Sequence, residues 1–113
     1  MRLLTTSLLL FAALPLFAEN WPMWRGPRLD GTSQDSGFPV KVDANAPAWK
    51  VALPGAGHAS PIVWNDRIFT VAAIAETEER ALICLDRKDG HTLWQTAVIK
   101  SPMEKKHNLN SHA

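Results

Sequence analysis

The side chains able to do chemistry are few and widely spaced. Histidines stand at 58, 91, 107 and 112, at intervals of 33, 16 and 5. None of these intervals is a metal-motif spacing. Ser60 is followed by Pro61 rather than by the x-Gly of a nucleophile elbow. The single cysteine, Cys84, can form no internal disulfide and no cysteine-built metal framework. It lies inside an apolar run, where packing rather than reactivity is its expected role. Asp30 and Asp35 suggest a calcium loop, but the loop's spacing, its glycine at position six and its closing glutamate are missing. Lys105-Lys106-His107 reads as a short solvated basic run, and there is no glycine-rich phosphate loop. No catalytic residue and no metal ligand is assigned.

The most organised stretch is Ala81 to Trp94. An apolar run, Ala81 to Leu85, stops at Asp86, turns at Asp89-Gly90 and resumes at Leu93-Trp94. That is a strand, a tight turn and a second strand. Gly90 supplies the positive φ the turn requires, and the Asp86 and Asp89 carboxylates can accept hydrogen bonds from turn amides. Trp94 brings a large apolar surface with one N–H donor. On these residues alone, an ordinary β-hairpin with an Asp-Gly turn is the alternative reading.

The same residues resemble the repeat of PQQ-like (quinoprotein-type) β-propellers: a small residue, any residue, Asp, three residues, Gly, three residues, Trp. Cys84, Asp86, Gly90 and Trp94 take the four positions. The resemblance implies an all-β fold whose unit is an antiparallel four-stranded blade.

The elements needed to carry that motif can be read along the chain. At 113 residues there is room for one small domain. Twelve basic residues against eleven acidic ones give no electrostatic case for nucleic acid or an anionic membrane. Residues 1–18 read as a signal peptide, with Arg2 as the positive start, Leu3 to Phe17 as the apolar core and Ala18 at the cleavage point. The run is short for a membrane span and contains Pro15, so no span is expected after its removal. The expected location is periplasmic or secreted, in a bacterial cell envelope.

Residues 19–48 form an irregular lead-in, broken by Pro22, Gly26, Pro27, Gly31, Gly37, Pro39 and Pro47. Asn20-Trp21-Pro22-Met23-Trp24-Arg25-Gly26-Pro27, followed by Asp30-Gly31-Thr32-Ser33, is similar to the opening of secreted PQQ-like propeller proteins. That similarity places Trp21 and Trp24 against a propeller surface, with Arg25 stacking or pairing beside them.

From Trp49 the pattern becomes that of strands. Trp49 to Leu53 alternates with a period of two. A strand entering through His58 to Trp64, a two-residue turn at Asn65-Asp66 and a return strand over Arg67 to Ile74 follow. Glu76 to Arg80 is read as a charged turn, Ala81 to Leu85 as a third strand and Thr92 to Ile99 as a fourth. Four hairpin-linked strands are the unit of a propeller blade.

Trp49-Lys50-Val51-Ala52-Leu53 is echoed 45 residues later by Trp94-Gln95-Thr96-Ala97-Val98, within the length of a blade repeat. Gly57-His58-Ala59-Ser60 is echoed by Ser111-His112-Ala113. Residues 49–113 are therefore expected to hold the first blade, with Trp49 to Leu53 as the outermost strand of a neighbouring blade and His112-Ala113 opening the next. A lone blade leaves apolar faces without partners, and repeat folds need about three units. The sequence is thus expected to be the front of an incomplete propeller. It would pack against the remaining blades or against other copies of the chain.

By resemblance, the function is that of a non-catalytic binding or interaction scaffold, with an envelope protein as a possible partner and no cofactor. The alternative is a fragment of a pyrroloquinoline-quinone-dependent dehydrogenase holding the quinone with calcium. No cofactor-binding residue of such enzymes maps onto this sequence, and a single cysteine excludes their adjacent pair within it. An unrelated small secreted β-domain is the third reading.

Overall fold

The computed structural model describes residues 18–113. The signal peptide expected over 1–18 therefore lies almost wholly outside the described residues. Four strands, β1 (Ile62–Trp64), β2 (Arg67–Ile74), β3 (Glu79–Asp86) and β4 (Thr92–Lys100), form one antiparallel sheet in the order β1-β2-β3-β4. There is no helix among the described residues.

The turns explain the meander. Asn65 sits at φ 51°, a left-handed conformation that asparagine tolerates, and Trp64 pairs with Arg67 across it. The β2–β3 turn is closed by Glu78 at φ 57°, and pairing starts at once with Ile74 opposite Glu79. The charged turn expected to reach Arg80 is thus shorter, and Glu79 and Arg80 belong to β3. Arg80 tolerates burial because its guanidinium donates to the Ser101 carbonyl at 2.8 Å and to Glu104 at 2.5 Å. A charge satisfied from 24 residues away reads locally as a turn former.

The sheet has one layer, so its core is small. Register places Ile83 opposite Thr70 and Leu85 opposite Ile68. Ala72, Ile83 and Leu85, with Ile68 against them, make the apolar cluster of that face. The opposite face carries Phe69, Cys84 and Trp94 side by side across three strands. Cys84 is fully buried there, as its place in an apolar run predicts. The Phe69 and Trp94 rings lie tilted with centroids 6.0 Å apart.

β4 behaves as an edge. All nine of its residues are exposed. Register shifts opposite Arg80/Ala81 and Cys84/Leu85 leave Val98 and Leu93 as extra, unpaired residues on β4. Such bulges twist an edge away from flat pairing.

Trp49 to Leu53 is not a strand in the structure. Period-two alternation is necessary for a half-buried strand, but a ladder also needs a partner backbone. Among the described residues no backbone forms a ladder with this segment. The chain pairs only later, where Ala56 and Ala73 exchange both backbone hydrogen bonds at 2.8 and 3.0 Å.

Residues 19–48 hold turns, bends and a single bridge, yet they are tied down. Trp21 and Val63 exchange hydrogen bonds at 2.8 and 2.9 Å, extending the sheet by one bridge beyond β1. The Trp21 ring covers Gly26, where an added Cβ would fall 2.6 Å from it. Trp24 departs from expectation: it is 74% exposed, with the Arg25 guanidinium 5.9 Å above its ring instead of a protein surface.

An ion pair organises the rest of this segment. Arg28 meets both Glu19 oxygens at 2.5 and 2.9 Å and also donates to the Thr32 carbonyl at 2.7 Å. The Arg28 hydrogen bonds, followed by those from the Gln34 amide and the Ser33 hydroxyl, hold the Glu19 carboxyl down from 4.5 to about 2. A depressed carboxyl stabilises the folded form above its ordinary pKa and loses that contribution as pH falls through the folded value. Thermal stability is therefore expected to drop between pH 4.5 and 2, and Glu19→Gln to flatten that part of the profile. Melting curves of both proteins across that window check this; identical pH profiles would refute it.

Candidate functional site

Two of the four positions of the expected motif, Asp86 and Gly90, meet in one turn. Asp86 accepts from the Lys88 amide at 2.7 Å and Asp89 from the His91 amide at 3.0 Å. The Asp86 amide donates to the His91 carbonyl, and the Gly90 amide to the Asp86 carbonyl, each at 2.9 Å. Gly90 takes φ 78°. Both carboxylates therefore do what the sequence predicts of them, and the glycine closes the turn. Cys84 and Trp94 lie just behind, paired across β3 and β4.

What the sequence does not predict is the group on top of this turn. The Trp49 indole lies against Gly90, where an added Cβ would stand 2.5 Å from ring carbon Cε3. Its N–H donates to the Arg87 carbonyl at 3.1 Å. Trp49 is thus a knob seated on a glycine, fixed by one hydrogen bond, from 38 residues upstream in the chain. The β1–β2 turn joins the same end of the sheet. The Arg87 amide donates to the Asp66 carbonyl at 2.9 Å, and the Asn65 amide to the Asn20 side chain at 2.6 Å.

Ligand atoms of Asp86, Asp89 and His91 lie within 4.8 Å of one another. His91 Nδ1 is 2.6 Å from Asp89 Oδ1, and this contact, after the His91 amide, lowers the Asp89 pKa. Calcium takes six to eight oxygens. Here each carboxylate commits one oxygen to its turn, and the third member offers nitrogen. The set does not fit the calcium of a quinoprotein site.

A concavity of about 440 Å³ opens beside β2 where residues 55–58 and 110–112 approach it. Its polar lining includes His58, Lys106, Asn110, Ser111 and His112. The echo between Gly57-His58 and His112-Ala113 is spatial as well, since the His58 amide donates to the Ala113 carbonyl at 2.8 Å. The Ser111 hydroxyl donates to that carbonyl too and accepts from the His58 amide. It is engaged with backbone, not with an imidazole. His112 stands 3.5 Å from Glu104, whose carboxyl is held low by its own amide and then by Arg80 and His112. This Arg80–Glu104–His112 chain carries no sequence signature, because its members lie on β3 and on the segment after β4. The arrangement can bind a polar group, but it contains no paired nucleophile and base.

Asp30 and Asp35, weighed for calcium, are separately employed. Asp30 caps its own turn through the Thr32 amide and hydroxyl, which lower its pKa. Asp35 faces the Glu19 amide. His107 accepts from the Leu109 amide in an exposed loop.

Comparison with protein-family models, with curated proteins and with solved structures gives no match to this chain.

Proposed function

We propose that the chain is the front part of an exported PQQ-like β-propeller that serves as a non-catalytic interaction scaffold. The seat of Trp49 on the Gly90 turn carries this reading. Trp49 and Trp94 begin the same five-residue pattern 45 residues apart. Trp49 is the knob that joins the segment before the sheet to the sheet's own Asp-x-x-x-Gly turn. Trp94 is then the knob for the corresponding turn of a following unit. Its 39% exposure, with Val98 and Ile99 more exposed still, is what a repeat face looks like before its neighbour is in place. The turn chemistry at Asp86 and Asp89 supports a structural role for the motif, and the fold alone assigns no activity.

Residues 1–18 act on this reading as the export signal, and the partner is the next blade, with an envelope protein held by the assembled propeller. An immunoblot of fractionated cells with antibody to residues 76–90 tests it. The expected band lies in the envelope fraction at several times 12.5 kDa. A cytoplasmic band, or dye reduction by the isolated product on adding pyrroloquinoline quinone and calcium, would overturn the scaffold reading.

A further inference from the structure

The backbone nitrogen of Glu19 lies 3.1 and 3.0 Å from the two carboxylate oxygens of Asp35, sixteen residues away. As an amide it brings one proton to two anionic acceptors. An α-ammonium at the same nitrogen would bring three protons and a positive charge, which is a far better match for a carboxylate. The position is well fixed. The Glu19 side chain is clasped by Arg28, by the Ser33 hydroxyl at 3.0 Å and by the Gln34 amide at 3.2 Å. Asn20 and Trp21 are already tied to Asn65 and Val63.

A separate observation singles out the bond on the other side of that nitrogen. Leu3 to Phe17 is an apolar run after Arg2, and Ala18 is the small residue that ends it. Ala18 is exposed. The pattern of the leader and the carboxylate facing Glu19 come from different parts of the chain, yet they meet at one peptide bond.

We propose that the Ala18–Glu19 bond is cleaved on export and that Asp35 then holds the Glu19 α-ammonium as an ion pair, making residues 19–35 a receptor for the chain's own mature N-terminus. This rests on the export reading above. Water is the co-reactant and a signal peptidase of the host is the catalyst. The C–N bond breaks, Ala18 leaves with a carboxylate, and the freed amine takes up a proton. The charged groups facing the amine are the Asp35 carboxylate, the Glu19 carboxylate and the Arg28 guanidinium. The last two neutralise each other in their bidentate pair, so Asp35 sets the sign. The amine pKa rises above the usual range of about 7.7–8.0. Cleavage thereby converts a weak amide contact into a charged lock between residue 19 and residue 35.

The full-length chain, expressed with its own leader in a bacterial host, is purified and its N-terminus read by intact mass. Its α-amine is then labelled with acetic anhydride across pH 6 to 10, native and in urea. The expected terminus is Glu19, with native labelling at pH 7 about tenfold slower than in urea, one pKa unit being tenfold. Asp35→Asn restores fast labelling, whereas Asp43→Asn, in an exposed turn, does not. Should Asp35→Asn lose the sheet by circular dichroism, the shift of the native labelling profile to higher pH decides alone. A Glu19 terminus that labels natively as it does in urea overturns the ion pair and leaves export standing. A terminus elsewhere, or a retained leader, overturns both.

Discussion

Gly90→Ala is expected to destabilise the sheet by about 2–4 kcal/mol, and most of the excess over a simple backbone cost should vanish when Trp49 is also removed. Two effects add at this position. Gly90 sits at φ 78°, where any L-residue costs about 1–2 kcal/mol. The new Cβ would also fall 2.5 Å from Trp49 Cε3. That atom belongs to a rigid ring fixed by its hydrogen bond to Arg87, so the whole indole must leave its seat. Losing the hydrogen bond costs about 0.5–1.5 kcal/mol, and the displaced ring loses packing as well. Trp49→Ala removes the ring outright and is expected to cost about 2–3 kcal/mol, below the range for a fully buried tryptophan because Trp49 is half-buried. In the double variant only the backbone cost of Gly90→Ala remains, so the coupling should reach about 1–2 kcal/mol. Urea unfolding followed by far-UV circular dichroism, on wild type, both single variants and the double, measures it. Additive losses would mean that Trp49 and Gly90 do not share a contact.

That contact also marks where local sequence reading stops. β2 is legible to the residue, Arg67–Ile74, because its β-branched and aromatic content and the Asn65-Asp66 turn are local properties. The turn at Asp86 to Gly90 is legible for the same reason: each carboxylate bonds an amide two residues on. Trp49 to Leu53 misleads because alternation describes a face, while a strand is defined by a partner. Its tryptophan is important, but through a seat 38 residues downstream rather than through a ladder. Arg80 misleads in the opposite direction. Its charge marks a turn until Glu104 is brought beside it. The Glu19–Arg28–Asp35 cluster is invisible to pattern reading, since nothing periodic links a carboxylate, a guanidinium and a second carboxylate in a glycine- and proline-rich segment.

Ile83→Ala should be the most damaging single truncation, at about 2–5 kcal/mol, while Val98→Ala on the neighbouring strand should change stability by less than about 0.5 kcal/mol. Ile83 is wholly enclosed at the middle of the sheet, against Ala72 and Leu85. Removing it takes away apolar contact and leaves a cavity that a single-layer core has few side chains to fill. Against a typical domain stability of about 5–15 kcal/mol, the chain would be near or past its unfolding limit. Val98 is equally apolar but 62% exposed on a bulge of β4, so its truncation removes little that folding buries. The contrast bears on what covers β4. Measured by thermal unfolding at several protein concentrations, a silent Val98→Ala fits an edge that nothing covers in solution. A costly Val98→Ala whose effect grows with concentration would mean that copies of the chain already bury this edge in one another.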